Sequence, residues 1–190
     1  MVAQTLAIEH PRRVLSLASI MSTTGDPDVG RPSPVGMEAL TNKPPTDREG
    51  YVESTVRART MIGSPGFPRD EEYARALAGR MFDRGYHPDG TLRQVIAIIA
   101  SGDRTRRLRE LQVPTVVIHG EDDPLIDFSG GRATAGAIAD SRLVTIRGMG
   151  HDLPEGTWPL LIDAIAKNAT RAGFPAALTA AIPSSEEDSE

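Results

Sequence analysis

The residues of this chain best suited to chemistry stand in two short loops. One is His119-Gly120-Glu121-Asp122-Asp123-Pro124, which follows the β-branched run Thr115-Val116-Val117-Ile118. The other is Gly148-Met149-Gly150-His151-Asp152, which follows Arg142-Leu143-Val144-Thr145-Ile146. In an open parallel sheet, sites form beyond the carboxyl ends of the strands, so the two loops belong on one edge, near each other. An acid reaching from the first loop to His151 in the second would fix the tautomer of the imidazole and stabilise its charged form. The glycines around His151 allow the sharp turn that this approach needs. Taken singly, the acids read as a solvated turn and the histidine as a surface or capping residue. Their order on consecutive strand ends is what makes them specific.

Other reactive types read as structural. His10 and His87 each precede a proline at an element boundary. His119 stands at a strand end beside Asp123, where orienting the backbone is the simpler role. Tyr51, Tyr73 and Tyr86 fall on helical segments and read as packing, as do Met37, Met61 and Met81, although flexible methionines also suit an adaptable apolar pocket. No metal-ligand spacing is present, and Asp26-Pro27-Asp28 lacks the continuation of a calcium loop. No cofactor motif is found. With no cysteine there is neither a disulfide framework nor a thiolate metal site.

The elements that must position these loops are legible from pattern. Residues 1–10 read as a helix ended by Pro11, because the residue before a proline is pushed out of the α region. Val14 to Met21 alternates like a strand and stops at Thr23-Thr24-Gly25-Asp26-Pro27. A helical block follows. Thr46-x-x-Glu49 reads as a capping box opening a helix to about Gly63. Asp70 to Arg84 is a second helix, stopped by Gly85. A third spans about Thr91 to Ser101, with Leu92, Val95, Ile96, Ile98 and Ile99 as a wide apolar stripe. Asp103 caps a short fourth one through Leu111. Thr115 to His119 is a strand buried on both faces, Ala133 to Ala139 a short helix, Arg142 to Ile146 another strand, and Pro154 to about Ala169 a closing helix. This order predicts an α/β fold with a parallel sheet.

Composition limits the function classes. Of 190 residues, 39% are hydrophobic and 25% charged, an ordinary globular balance able to bury a core. No apolar run suits a membrane helix, and the first ten residues lack the features of a signal peptide. The net charge is −5, and the acids Glu186, Glu187, Asp188 and Glu190 supply most of it. Arg104, Arg106, Arg107 and Arg109 form the densest basic cluster, which reads as a solvated helix face and not as a nucleic-acid site. The expected compartment is the cytoplasm.

The stretches PTVVIHGEDDP (residues 114–124) and RGMGHDLP (147–154) resemble the acid and histidine loops of the α/β-hydrolase superfamily. MVAQTLAIEHPRRVLSLASIMSTTGDP resembles the helix and strand that follow that family's nucleophile elbow. The phrasing is closest to lipase/esterase-like members, including the anthracycline methylesterase group, over about residues 1–171. The resemblance implies Asp123, three residues after the strand-end glycine and just before a proline, as the acid, and His151 as the base. It implies an incomplete α/β-hydrolase fold, the C-terminal part of a parallel sheet with a helical cap insertion. The divisions would be 1–24 (core helix and strand), 25–110 (cap), 111–172 (core with both loops) and 173–190 (a disordered acidic tail). The family's G-x-S-x-G elbow does not occur in these 190 residues, so a truncated hydrolase is expected, inactive alone. The implied activity is hydrolysis of a small apolar carboxylic ester by a Ser-Asp-His triad. An epoxide hydrolase or dehalogenase with an aspartate nucleophile, a non-catalytic binding module, and complementation by a separate chain remain alternatives. The first strand would become an open sheet edge, through which the chain could self-associate.

Overall fold

The computed structural model describes residues 1–43 and 45–173. The expected acidic tail therefore lies, apart from Gly173, outside the described residues. The elements in chain order are α1 (Val2–Glu9), β1 (Leu17–Ile20), α2 (Pro34–Thr41), α3 (Arg48–Ile62), α4 (Glu71–Asp83), α5 (Pro88–Ser101), α6 (Thr105–Leu108), β2 (Thr115–Gly120), α7 (Phe128–Ala137), β3 (Arg142–Ile146) and α8 (Trp158–Arg171). The three strands form one parallel sheet in the order β1-β2-β3. Leu17 pairs with Thr115 across the first ladder, and Val116 with Arg142 across the second.

The central strand is buried along its whole length, as its β-branched run predicts. Helices cover both of its faces. On one side, Leu17 joins Ala7 of α1, Leu108 of α6, and Ala137 and Ile138 at the end of α7. On the other, Val116 and Ile118 of β2 and Ile146 of β3 meet Met149 of the following loop and Leu161 and Ala164 of α8. The buried Asn168 of α8 donates to the carbonyls of Leu17 and Pro114, both at 3.1 Å, and so fixes the helix to the starts of two strands. This is an α/β sandwich of layers with a helical insertion between β1 and β2.

Several expectations change in detail. β1 is shorter than the alternating run, because Pro11–Arg13 makes a 3-10 turn and Val14 only leads into the sheet. The cap of α3 is Asp47, not Thr46: its carboxylate accepts from Gly50 N at 2.8 Å. α5 begins at Pro88, whose ring suits the first helical position. α7 begins at Phe128, where Asp127 caps it and accepts from Ser129 N at 2.9 Å. The Ser129 side chain and amide hold the Asp127 carboxyl below its usual range. α2 was not expected. Ser33 caps it, accepting from Gly36 N at 3.1 Å, with Pro34 at its first position. Arg104 is not part of a solvated face but is buried. Within the insertion, Tyr51, Phe82 and Tyr86 pack ring on ring with centroids 4.6 to 5.5 Å apart, and Tyr86 donates to the carbonyl of Pro45. Packing is thus the observed role of Tyr51 and Tyr86.

Candidate active site

The parallel register brings Gly120 of β2 opposite Ile146 of β3, so the loops that follow leave the sheet side by side. They are stitched together from the start. Glu121 N donates to Ile146 O at 3.0 Å and Asp122 N to Met149 O at 3.1 Å. The approach is close enough to require glycine: a Cβ on Gly120 would stand 2.1 Å from Met149 O.

Asp123 lies at the centre of this junction, 5% exposed. Its Oδ1 accepts from the amides of Leu125 and Ile126, each at 2.9 Å, in a tight turn of its own loop. Its Oδ2 accepts from His151 Nδ1 at 2.7 Å. A carboxylate only accepts, so Nδ1 carries a proton, and in the neutral ring Nε2 then holds the lone pair. The His151 side chain is about one quarter exposed, at 25%, and among the described residues its Nε2 has no hydrogen-bond partner. The geometry thus leaves an oriented imidazole whose outer nitrogen is able to take a proton.

Asp122 has a different task. Its Oδ2 accepts from Gly148 N at 2.8 Å, which ties the first loop to the second through the backbone. His119 is fully buried. Its Nε2 donates to the Ile126 carbonyl at 2.8 Å and lies 3.6 Å from Asp123 Oδ2. Its Nδ1 has no partner and faces Gly131 of α7, where a Cβ would come within 2.4 Å. His119 therefore holds the far end of the Asp123 turn, in keeping with a backbone-orienting role.

Residues 62–67, at the end of α3 and in the connection to α4, carry a contribution that the pattern analysis missed. Ile62 O accepts from His151 N at 2.7 Å, and Gly66 N donates to Gly148 O at 2.9 Å. Ser64 is buried; its Oγ donates to Asp152 Oδ1 and accepts from Gly150 N at 2.9 Å. Phe67 reaches the cluster beneath α8. In sequence, Gly63-Ser64-Pro65-Gly66 reads as an ordinary turn, and no local signal marks it as a partner of a loop some 88 positions away.

No protein-family model matches the chain. A bifunctional esterase/perhydrolase of Acinetobacter calcoaceticus is 30% identical over 77 residues, 40% of this chain and 26% of that protein. Among solved structures, a suspected lipase of Acinetobacter baumannii superposes with a TM-score of 0.70 at 14% identity, over 90% of this chain and 57% of the other. An esterase of a Rhodococcus species gives 0.65 at 17% identity, over 90% of this chain and 62% of its own. A thermophilic esterase of Thermogutta terrifontis gives 0.56 at 22% identity, over 91% and 62%. The chain thus spans about a quarter of the curated relative and about three fifths of these solved chains. The parallel sheet, its covering helices and these superpositions agree on one architecture: the chain has an α/β-hydrolase fold, of which it spans a part.

Proposed function

We propose that this chain supplies the acid, Asp123, and the general base, His151, of a serine-type hydrolase that cleaves a small apolar carboxylic ester. The observation that carries the reading is the 2.7 Å bond from His151 Nδ1 to the buried Asp123 carboxylate, with Nε2 left to accept a proton. In the reaction, Nε2 would take the proton of an attacking serine hydroxyl and later return it to the leaving alkoxide. Asp123 would hold the tautomer and stabilise the imidazolium in between. The esterase character of the similar proteins supports the ester as substrate class. The serine would come from polypeptide outside these 190 residues, because G-x-S-x-G does not occur in them. In this reading residues 25–110 form a cap over the substrate, and 1–24 and 111–172 form the core.

A second reading is a binding module without catalysis, favoured by the same missing elbow. The aspartate-nucleophile chemistries draw less support. An epoxide hydrolase needs tyrosine hydroxyls to protonate an alkoxide, and the Tyr86 hydroxyl is engaged with Pro45 O.

The test compares the 190-residue chain with a chain extended through any in-frame upstream coding sequence, on p-nitrophenyl butyrate and a fluorophosphonate probe. The short chain should turn over no faster than buffer. The extended chain should hydrolyse the ester, label on a serine, and lose turnover in His151→Ala. Turnover by the short chain that disappears in His151→Ala would overturn the assignment of the nucleophile. An unlabelled, inactive extended chain, or a stop codon directly upstream, would favour the binding module.

A further inference from the structure

The three consecutive residues centred on His151 are each bonded to one short stretch of the helical insertion. His151 N donates to Ile62 O at 2.7 Å. The residues on either side of it, Gly150 and Asp152, share a single atom, Ser64 Oγ. A hydroxyl has one proton and two lone pairs. Here the proton goes to the Asp152 carboxylate and a lone pair receives the Gly150 amide, at 2.9 Å. Ser64 is 2% exposed, which keeps water from substituting for it. An ionised acceptor strengthens the hydrogen bond it receives, and a polarised hydroxyl is in turn the better acceptor for Gly150 N–H. The seat is also sterically tight. A Cβ on Gly150 would stand 2.3 Å from Gly63 O, so the backbone just before the imidazole lies close against Gly63 and has no room for a side chain.

We propose that Ser64 is a positioning residue for His151, acting through Gly150 and Asp152 to aim the ring at Asp123. The Asp123–His151 pair joins two loops of the core, yet the direction of the histidine is set by the insertion. The consequence is coupling: a displacement of residues 62–66 releases the imidazole from its carboxylate. Misplacement by about 1 Å commonly costs a reaction about 10²-fold, so the geometry matters well beyond local stability. This inference rests on the proposed hydrolase reading for the role of the base, but its readout needs no turnover, so the two fail separately.

The test uses the 190-residue chain labelled with ¹⁵N at its histidines, and follows two ring protons by NMR. The His151 Nδ1 proton, on Asp123, reports the aim of the ring. The His119 Nε2 proton, on Ile126 O, reports the integrity of the core beneath it. Ser64→Ala should shift the His151 proton upfield and speed its exchange with water roughly tenfold, the scale of one lost buried hydrogen bond, with the His119 proton unchanged. Asp152→Ala, which removes the acceptor without touching the buried hydroxyl, should act in the same direction. Ser64→Thr, which keeps the hydroxyl, should restore the wild-type signal. Unchanged shift and exchange of the His151 proton in both Ser64→Ala and Asp152→Ala would overturn the proposal. So would loss of both protons in both variants, since the effect would then belong to the whole fold and not to the aim of one ring.

Discussion

Asp123 accepts three hydrogen bonds, and only one comes from the histidine. The two amides of its own turn fix the carboxylate before any proton moves, so the ring meets a preset acceptor. Asp122, one residue earlier, spends its carboxylate on the Gly148 amide instead. The two neighbours should therefore separate in mutagenesis. In a chain extended to include a nucleophile, Asp123→Asn presents an amide to Nδ1, favours the wrong tautomer, and should lower kcat by about 10⁴. Asp122→Asn keeps an oxygen able to accept from Gly148 N and should cost less than about tenfold. Esterase kinetics on the two variants check this, and equal losses or the reverse order would mean that the acid is misassigned. That an acid of the first loop meets His151 was legible because strand ends in a parallel sheet gather their loops at one edge; the choice of Asp123 among those acids came from the resemblance to the hydrolase loops. Ser64 was not legible. Its partners are distant in the chain, and a buried serine in a Gly-Pro turn has the same local pattern as an exposed one.

Arg104 shows the same limit among the elements. Its neighbours Arg106, Arg107 and Arg109 suggest a solvated face, yet Arg104 is 4% exposed and joins three parts of the fold. Nε donates to Gln4 Oε1 of α1 at 3.2 Å and Nη2 to Thr23 O after β1 at 3.0 Å. Nη1 reaches Ser101 Oγ at 2.8 Å and Gly102 O at 3.0 Å, at the end of α5. A planar fork with fixed donors serves this junction in a way that an ammonium does not. Arg104→Ala would leave two buried oxygens, Gln4 Oε1 and Thr23 O, unpaired and should destabilise the chain by about 3 kcal/mol. Arg104→Lys should recover little of it. Urea unfolding followed at Trp158 reads both, and a loss within about 0.5 kcal/mol would show that water replaces the guanidinium. Cap and stop residues located α3 and α4, and an apolar stripe located α5; each spans three or more turns. The two-turn α2 escaped because only its Ser33-Pro34 start marks it.

At the scale of the whole molecule, the three strands among the described residues make a narrow sheet. β1 pairs only with β2 among the described residues, so its other side presents unsatisfied N–H and C=O groups, a template for association. Among the described residues, apolar side chains of two helices are also exposed. Val2 and Leu6 of α1 are 85% and 49% exposed, and Leu92, Ile96 and Ile99 of α5 are 61%, 55% and 73% exposed. The last three are spaced as one helical stripe. Between the two helices runs a cleft of about 820 Å³ whose walls include Val2, Leu6, Ala97 and Ile98. A fully exposed side chain of this kind forgoes roughly 1.5–3 kcal/mol of burial, and a half-exposed one a corresponding share, against a typical net stability of about 5–15 kcal/mol. A gain of that size per residue drives copies of the chain together once concentration permits. Sedimentation velocity should therefore show a mass that rises with protein concentration. Near-UV circular dichroism at Trp158, which is 47% exposed at the start of α8 with its indole N–H on Leu153 O, should be the same at every concentration. Replacing the stripe with Leu92→Glu, Ile96→Glu and Ile99→Glu should move the chain toward monomer without changing that signal. If the wild-type chain instead sediments as one monomer at all concentrations and melts cooperatively, the open edge and the α5 stripe are tolerated in water. The described residues would then close a sufficient core by themselves.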